Sequence, residues 1–368
     1  MKTLSNLALA LWLTGAPSLI LAAAPEHDPI IFSFATVGDS RADPEAEDMT
    51  GQDRRWLQNS RALARILREI QAQKPDALFF NGDMIYGYST NRHALDREYA
   101  YWRGMVAGLL ESGTYVVPVP GNHECQIKVN AADGTVHKTA WGPSETAWRE
   151  NMGDLILDTA RWKRLRGADV EAWDVGHTPP VGGPDRIESD QRQLSYSFDY
   201  HGLHFTVINT DPTGNDAHAP VAWLKDDLAK ARQRGARHCF VFGHKQAFTY
   251  GYSPGIPPKG LDVHPQDQQA FWDVIEANAA AYFCGHEHIY HASQPRGRAW
   301  QIIAGSGGSP FEAKPGQSAK PHDRYYVWAW VRVHHSGRVQ LEAHGFDEHF
   351  HPTKLVEQLE LAPAAARK

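Results

Sequence analysis

Five short apolar runs in this chain each end in residue types that bind metal ions. The motifs that follow them are, in chain order, Gly38-Asp39, Gly82-Asp83-Met84-Ile85-Tyr86, Gly121-Asn122-His123-Glu124, Gly243-His244 and Gly285-His286-Glu287-His288. The glycines suit tight turns in which the backbone passes close to an ion. Ligands of open α/β sheets bind outside the carboxyl ends of the strands, where residues distant in sequence converge. The five runs therefore predict strands whose motifs form one site.

The apolar runs alternate with segments of helical periodicity, a pattern typical of βαβ units and a buried sheet. Strands are predicted over residues 30–37, 77–80, 115–119, 237–242 and 281–284, and a hairpin over 194–209. Helices are predicted over residues 54–73, 93–110, 219–234 and 266–280, and residues 300–344 are strand-rich. We therefore expect an α/β fold in which two sheets pack as a β-sandwich flanked by helices.

The segment at 126–193 breaks this rhythm and contains several tryptophans between Gly-Pro clusters. We interpret it as a Trp-rich insertion that lies beside the site. The expected organisation is a signal peptide at 1–24, a catalytic domain at 25–352 that includes this insertion, and a C-terminal tail at 353–368.

The first 24 residues have the pattern of a secretory signal. A lysine at position 2 precedes an apolar stretch over residues 7–21, and small residues follow at Ala22-Ala23-Ala24. The apolar stretch has about 15 residues, whereas a membrane-spanning helix needs roughly 20. We therefore expect an exported protein, periplasmic or secreted, with no membrane association after the signal is cleaved.

The composition narrows the classes of function. The formal net charge of −6 argues against a nucleic-acid-binding surface, which needs a basic footprint. Twenty histidines raise the expectation of metal chemistry, while three cysteines are too few for a disulfide framework. Nothing in the sequence indicates the oligomeric state.

Taken together, the five motifs resemble those of the calcineurin-like metallophosphoesterases, and most of all their purple acid phosphatase branch. Asn209-Thr210-Asp211, followed by Trp223-Leu224, also resembles that group. The resemblance implies a four-layer metallophosphoesterase fold with a binuclear metal centre. It implies a first metal ion held by Asp39, Asp83, Tyr86 and His288. It implies a second ion, bridged through Asp83 and held by Asn122, His244 and His286.

Tyr86 bears on which metals these are. A phenol has a pKa near 10, so it ligates at acid or neutral pH only to a strong Lewis acid. This favours Fe(III) in the first site, with Fe(II), Zn or Mn in the second. Many relatives place a histidine two residues after the first aspartate, whereas this chain has Arg41, which does not ligate. The alternative is that Tyr86 is an ordinary aromatic residue packed at the strand end.

Three residues are candidates for catalysis rather than metal binding. Arg41 either clamps a substrate phosphate oxygen or forms a salt bridge with an acid such as Asp43. The resemblance implies that His123 acts as general acid for the leaving alkoxide or stabilises the transition state, with Glu124 orienting it. The nucleophile implied is a metal-bound hydroxide.

The leading interpretation is an exported phosphomonoesterase of acid phosphatase type, acting on a small-molecule phosphate ester. A phosphodiesterase or nucleotide pyrophosphohydrolase would use the same metal core, because residues 126–193 and 245–265 would set specificity. A phosphate- or metal-binding module without turnover is the non-enzymatic alternative, although the candidate ligands and His123 are all present.

Overall fold

The computed structural model describes residues 28–45, 50–278 and 280–362. The signal peptide expected at 1–24 lies outside these residues. The strands among them are β1 (Ile30–Val37), β2 (Ala77–Phe80), β3 (Tyr115–Pro118), β4 (Gln126–Asn130), β5 (Val136–Ala140), β6 (Tyr196–Tyr200), β7 (Leu203–Val207), β8 (His238–Phe242), β9 (Ala281–Cys284), β10 (Tyr290–Ser293), β11 (Gln301–Ala304), β12 (Tyr325–His334), β13 (Val339–Asp347) and β14 (Lys354–Ala362).

The α-helices of the described residues alternate with these strands. They are α1 (Gly51–Trp56), α2 (Ser60–Gln73), α3 (Arg92–Ser112), α4 (Asn122–Cys125), α5 (Gly142–Met152), α6 (Thr159–Arg166), α7 (Val221–Gln233) and α8 (Pro265–Ala277). No helix in the described part of the chain is long and apolar enough to cross a membrane.

The strands form two six-stranded sheets and a separate hairpin. One sheet has the order β14-β13-β12-β1-β2-β3, the other β10-β11-β9-β8-β7-β6, and β4 pairs with β5. Strands β1, β2 and β3 run parallel, as do β7, β8, β9 and β11, while β12, β13, β14, β6 and β10 join by antiparallel pairing. The predicted α/β sandwich of two mixed sheets is therefore confirmed.

Phenylalanines fill the space between the two sheets. Phe79 of β2 stacks on Phe242 of β8 with ring centroids 3.8 Å apart, and Phe34 of β1 lies 5.4 Å from Phe283 of β9. All four are fully buried, and each such side chain contributes about 1.5–3 kcal/mol by leaving water. This packing holds the two sheets in fixed relative positions, and with them the loops at their ends.

Helices cover the outer faces of the sandwich. Leu63, Ile66 and Ile70 form the buried face of α2, at the helical spacing predicted. The predicted helix at 54–73 is interrupted, because Leu57 takes a left-handed φ of 54° and Asn59 then caps α2 through its side chain. Helices α7 and α8 pack on the other sheet. The result is a four-layer arrangement.

The segments predicted to be a C-terminal tail and a Trp-rich insertion both form part of this fold. Residues 354–362, assigned to a C-terminal tail, form β14 and pair with β13 along its length. The Trp-rich segment supplies the β4–β5 hairpin and helices α5 and α6. Trp148 and Trp162 of that segment are fully buried in the main core, so the segment is packed into the domain.

Candidate metal centre

The five motifs lie at the carboxyl ends of five strands and meet at one edge of the sandwich. Asp39, Asp83 and Asn122 follow β1, β2 and β3, and His244 and His286 follow β8 and β9. The His286 N–H donates to the Asp39 carboxylate at 3.0 Å, joining the two sheets. The parallel strands thus bring together residues separated by as many as 247 positions.

Acceptor atoms converge in one cluster, formed by Asp83, Asn122, His244 and His286. His244 Nε2 lies 3.1 Å from Asp83 Oδ1 and 3.0 Å from Asn122 Oδ1. His286 Nδ1 lies 2.9 Å from Asn122 Oδ1 and 3.2 Å from His244 Nε2. We call these four residues the second cluster, because they are the residues predicted to hold the second metal ion.

The outer nitrogens of the histidines show which ring atoms face the clusters. His244 Nδ1 lies 2.7 Å from the Asn81 carbonyl oxygen, and His288 Nδ1 lies 2.7 Å from that of Pro310. His286 Nε2 lies 3.1 Å from the Lys259 carbonyl oxygen. A carbonyl only accepts, so each of these nitrogens carries a proton and the other ring nitrogen faces the cluster, where it is a ligand once deprotonated. Hydrogen bonds of this kind orient metal-binding histidines, and the donor set fits a metal ion.

The first cluster consists of Asp39, Asp83 and His288, and it shares Asp83 with the second. In each cluster the potential ligand atoms of the acidic and histidine residues lie within 4.8 Å of one another. His288 Nε2 is 3.8 Å from Asp39 Oδ1. A carboxylate shared in this way suits two cations held about 3.5–4 Å apart.

The buried aspartates and histidines of the two clusters favour the binding of a cation. Burial raises the pKa of Asp39 well above its usual value. Burial lowers the pKa of His244, but the Asp83 and Asp39 carboxylates outweigh it and raise that pKa to about 10. A proton on His244 therefore balances the carboxylates in the metal-free protein, and metal binding displaces such protons. Burial, together with Arg41, lowers the pKa of His288 to about 4, which leaves it in the neutral form that ligates.

Three of the candidate ligands have left-handed backbone conformations. The φ angles are 59° at Asp39, 51° at Asp83 and 69° at His286. Such conformations cost about 1–3 kcal/mol each in residues other than glycine and concentrate at functional sites. The surrounding strands impose them, so the site has its geometry before any ion binds.

Tyr86, the remaining predicted ligand of the first metal ion, has its hydroxyl group hydrogen-bonded to Lys128. Its hydroxyl oxygen lies 3.0 Å from Lys128 Nζ, and the side chain is half-buried. Tyr88 is buried instead, and its hydroxyl contacts the Asn122 amide nitrogen. This contact turns the Asn122 carbonyl oxygen towards His244 and His286. Tyr88 therefore orients a candidate ligand, a role that the sequence did not reveal.

Arg41 lies across the first cluster, and its partner differs from the expected Asp43. Its Nε is 3.6 Å from Asp83 Oδ2, and its Nη2 is 3.4 Å from His288 Nε2. Only 12% of the side chain is exposed. The guanidinium therefore faces the same space as the candidate ligands.

His123 is buried at the edge of the clusters. Its Nε2 lies 3.6 Å from Asp83 Oδ2, and its Nδ1 contacts the Tyr86 carbonyl oxygen. The expected hydrogen bond from Glu124 to His123 is replaced by this contact. Glu124 instead accepts backbone N–H bonds from Gly121, Asp83, Met84 and Ile85 at 2.7–3.1 Å. Glu124 therefore positions the loop that carries Asp83.

We expect Glu124→Gln to destabilise the protein by about 3 kcal/mol, because the glutamine amide group would face backbone donors that now share a carboxylate. Urea denaturation of the metal-free protein measures this loss. Glu111→Gln, at an exposed position near the end of α3, is the matched control and should change stability by less than about 0.5 kcal/mol. Equal stability of the two variants would contradict the assignment.

Comparisons with known proteins agree with this geometry. Residues 34–290 match the family model described as calcineurin-like phosphoesterase. Comparison with curated protein sequences finds no significant match.

Two solved structures share the fold. A structure of PhoD aligns with a TM-score of 0.51 at 13% identity, covering 93% of this chain and 73% of that one. A purple acid phosphatase from yellow lupin (Lupinus luteus) seeds aligns with a TM-score of 0.50 at 12% identity. That alignment covers 88% of this chain but 52% of the lupin protein, so the chain spans about half the length of that relative. At such low identity the likeness concerns the fold.

Proposed function

The chain belongs to the calcineurin-like phosphoesterase family of metal-dependent hydrolases, and on this premise we propose that it is an exported phosphomonoesterase of acid phosphatase type. Its substrate would be a small-molecule phosphate ester. The observation that carries the proposal is the position of Asp83. This residue belongs to both clusters of ligand-type residues, and His123 lies beside it.

The residues that would hold two metal ions are those of the first and second clusters. Bound there, the ions would neutralise phosphate charge and lower the pKa of a water molecule. Arg41 would bind a phosphate oxygen, because its buried Nε has no hydrogen-bond partner among the described residues and its guanidinium faces the clusters. The Tyr86 carbonyl holds Nδ1–H of His123, so His123 would donate an Nε2 proton to the leaving oxygen as the imidazolium. Burial lowers the pKa of His123 and disfavours that form in the free protein, whereas the negative charge of a bound phosphate would favour it.

For the metals, we propose Fe(III) in the Asp39/Tyr86/His288 site and Fe(II), Zn or Mn in the Asn122/His244/His286 site. Tyr86 is the reason for Fe(III), since a phenolate ligates hard trivalent ions. In the structure the Tyr86 hydroxyl meets Lys128. A metal ion bound by the Tyr86 oxygen would replace Lys128 as its partner.

We expect iron-loaded protein to show a visible tyrosinate-to-Fe(III) absorption band that Tyr86→Phe removes. Tyr88→Phe is the matched control, because it deletes the neighbouring phenol and should keep the band. A colourless iron-loaded protein, or a band that persists in Tyr86→Phe, would contradict the assignment of Tyr86.

Parallel assays with p-nitrophenyl phosphate and bis-p-nitrophenyl phosphate test the reaction class. We expect metal-loaded protein to prefer the monoester by at least about tenfold in kcat/KM. Preference for the diester would indicate a phosphodiesterase. Turnover of neither compound, nor of nucleotides, would favour a binding module. Export is tested separately by locating the protein in cell fractions and the medium.

A further inference from the structure

The β4–β5 hairpin places two lysines beside the candidate active site. It begins directly after helix α4, which carries His123, and the Ile127 backbone bridges to that of Tyr88. Within the hairpin, Lys128 and Lys138 are direct cross-strand partners. The direct connection to α4 and the bridge to Tyr88 therefore fix the position of the hairpin relative to His123.

Both ammonium groups lie over aromatic rings that line the site. Lys138 Nζ is 4.7 Å from the centroid of the Tyr88 ring, and Lys128 Nζ is 5.2 Å from it. In the described part of the chain neither lysine forms an ion pair with a carboxylate. Lys128 Nζ donates a hydrogen bond to the Tyr86 hydroxyl. Like charges directly opposite each other in an antiparallel pair are destabilising, so an anion bound between the two ammonium groups would relieve their repulsion.

The two lysines lie around the Tyr88 ring, which is next to His123 and whose hydroxyl contacts Asn122. The Tyr88 ring contacts the His123 ring with centroids 3.9 Å apart, and His123 Nε2 is 3.6 Å from Asp83. His123 thus contacts both Asp83, the clusters' shared carboxylate, and the ring over which the two ammonium groups lie. An anion between the lysines would belong to the part of the substrate that leaves, because His123 protonates that part.

The electrostatics of Lys138 agree with this placement. The Lys138 side chain is exposed, and partial desolvation lowers its pKa; Asp83 opposes this shift, whereas Arg41, Lys128 and Lys245 reinforce it. A phosphate group beside Lys138 would gain charge-assisted hydrogen bonds.

We propose that Lys128 and Lys138 bind a second phosphate group carried by the leaving group, so that the preferred substrates are bisphosphorylated small molecules. The inference rests on the proposed phosphomonoesterase function and names the substrate class for that site. Removal of the scissile phosphate then leaves a monophosphorylated alcohol and inorganic phosphate.

The test compares adenosine 3′,5′-bisphosphate with p-nitrophenyl phosphate, whose leaving group has no phosphate. In metal-loaded Lys128→Gln/Lys138→Gln protein we expect the KM for the bisphosphate to rise by about tenfold or more. The kcat and KM for p-nitrophenyl phosphate should stay within about twofold of the wild type. Lys225→Gln/Lys230→Gln on α7 removes the same net charge from exposed positions and is the matched control.

Equal losses on both substrates would overturn the proposal, because the lysines would then serve the transferred phosphate or the fold. No change on either would overturn it too. If wild-type protein turns over neither substrate, the proposed function fails by itself. Calorimetric titration with adenosine 3′,5′-bisphosphate still tests the lysines in that case: weaker binding by the double variant alone supports the site, and equal binding by both proteins refutes it.

Discussion

Replacing Asp83 with asparagine is expected to abolish most activity on p-nitrophenyl phosphate and to lower the bound metal content below two ions per chain. Asp83 is the residue common to both clusters, and asparagine keeps its size but loses its negative charge. Each ion of a two-metal site supplies several kcal/mol of charge stabilisation, and a loss of about 4 kcal/mol corresponds to roughly 10³-fold in kcat/KM. Elemental analysis after gel filtration gives the metal content independently of activity.

The control for this experiment is Asp43→Asn, which removes the same charge near Arg41 but outside the clusters. It should keep metal content and kcat/KM within about twofold of the wild type. It also tests the salt bridge that the sequence suggested for Arg41, since the structure pairs Arg41 with Asp83 instead. Full metal content and activity in Asp83→Asn would show that the two clusters do not act as one site.

The fold was largely predictable because the central strands are short runs rich in apolar residues. Strands β1, β2 and β9 have the predicted bounds, because each is a mainly apolar run that ends at a glycine or a polar residue. Convergence of the motifs then followed from parallel strand order alone. The exception, β14, is a mostly half-buried or exposed edge strand. Its apolar residues are interrupted by charged and amide side chains, and its pairing with β13 identifies it as a strand.

The directions of individual side chains were less predictable. Gly87 and Tyr88 both have left-handed φ angles, 58° and 50°. The chain therefore turns just after Tyr86, and the phenol at position 88 enters the site. Sequence spacing alone gives no such information.

Glu124 shows a second reason why the contacts of side chains could not be predicted from the sequence. Its four backbone donors come from two loops, and backbone amides have no sequence signature. The lysines of the β4–β5 hairpin illustrate the same limit, since only the register of that hairpin sets them opposite each other.

His123→Asn is expected to slow hydrolysis of an alkyl phosphate such as glycerol phosphate by about 10²–10³-fold, within the range of general acid catalysis. An alkoxide leaves poorly without a proton, whereas p-nitrophenolate leaves readily. The same variant should therefore lose much less on p-nitrophenyl phosphate, by about tenfold. Because His123 is not among the proposed ligands, the metal content should equal that of the wild type.

The comparison of leaving groups separates two roles for His123. A proton donor gives a loss that grows with the pKa of the leaving alcohol, whereas a residue that only stabilises charge on the phosphate gives similar losses on both substrates. Asparagine is the informative replacement, because its amide can still donate a hydrogen bond but cannot transfer a proton. The Tyr86 carbonyl fixes Nδ1–H, and Nε2 faces the site beside Asp83, so the donor role requires the imidazolium form of His123. Equal losses on the two esters would therefore assign His123 to transition-state stabilisation and leave the source of the proton to another group.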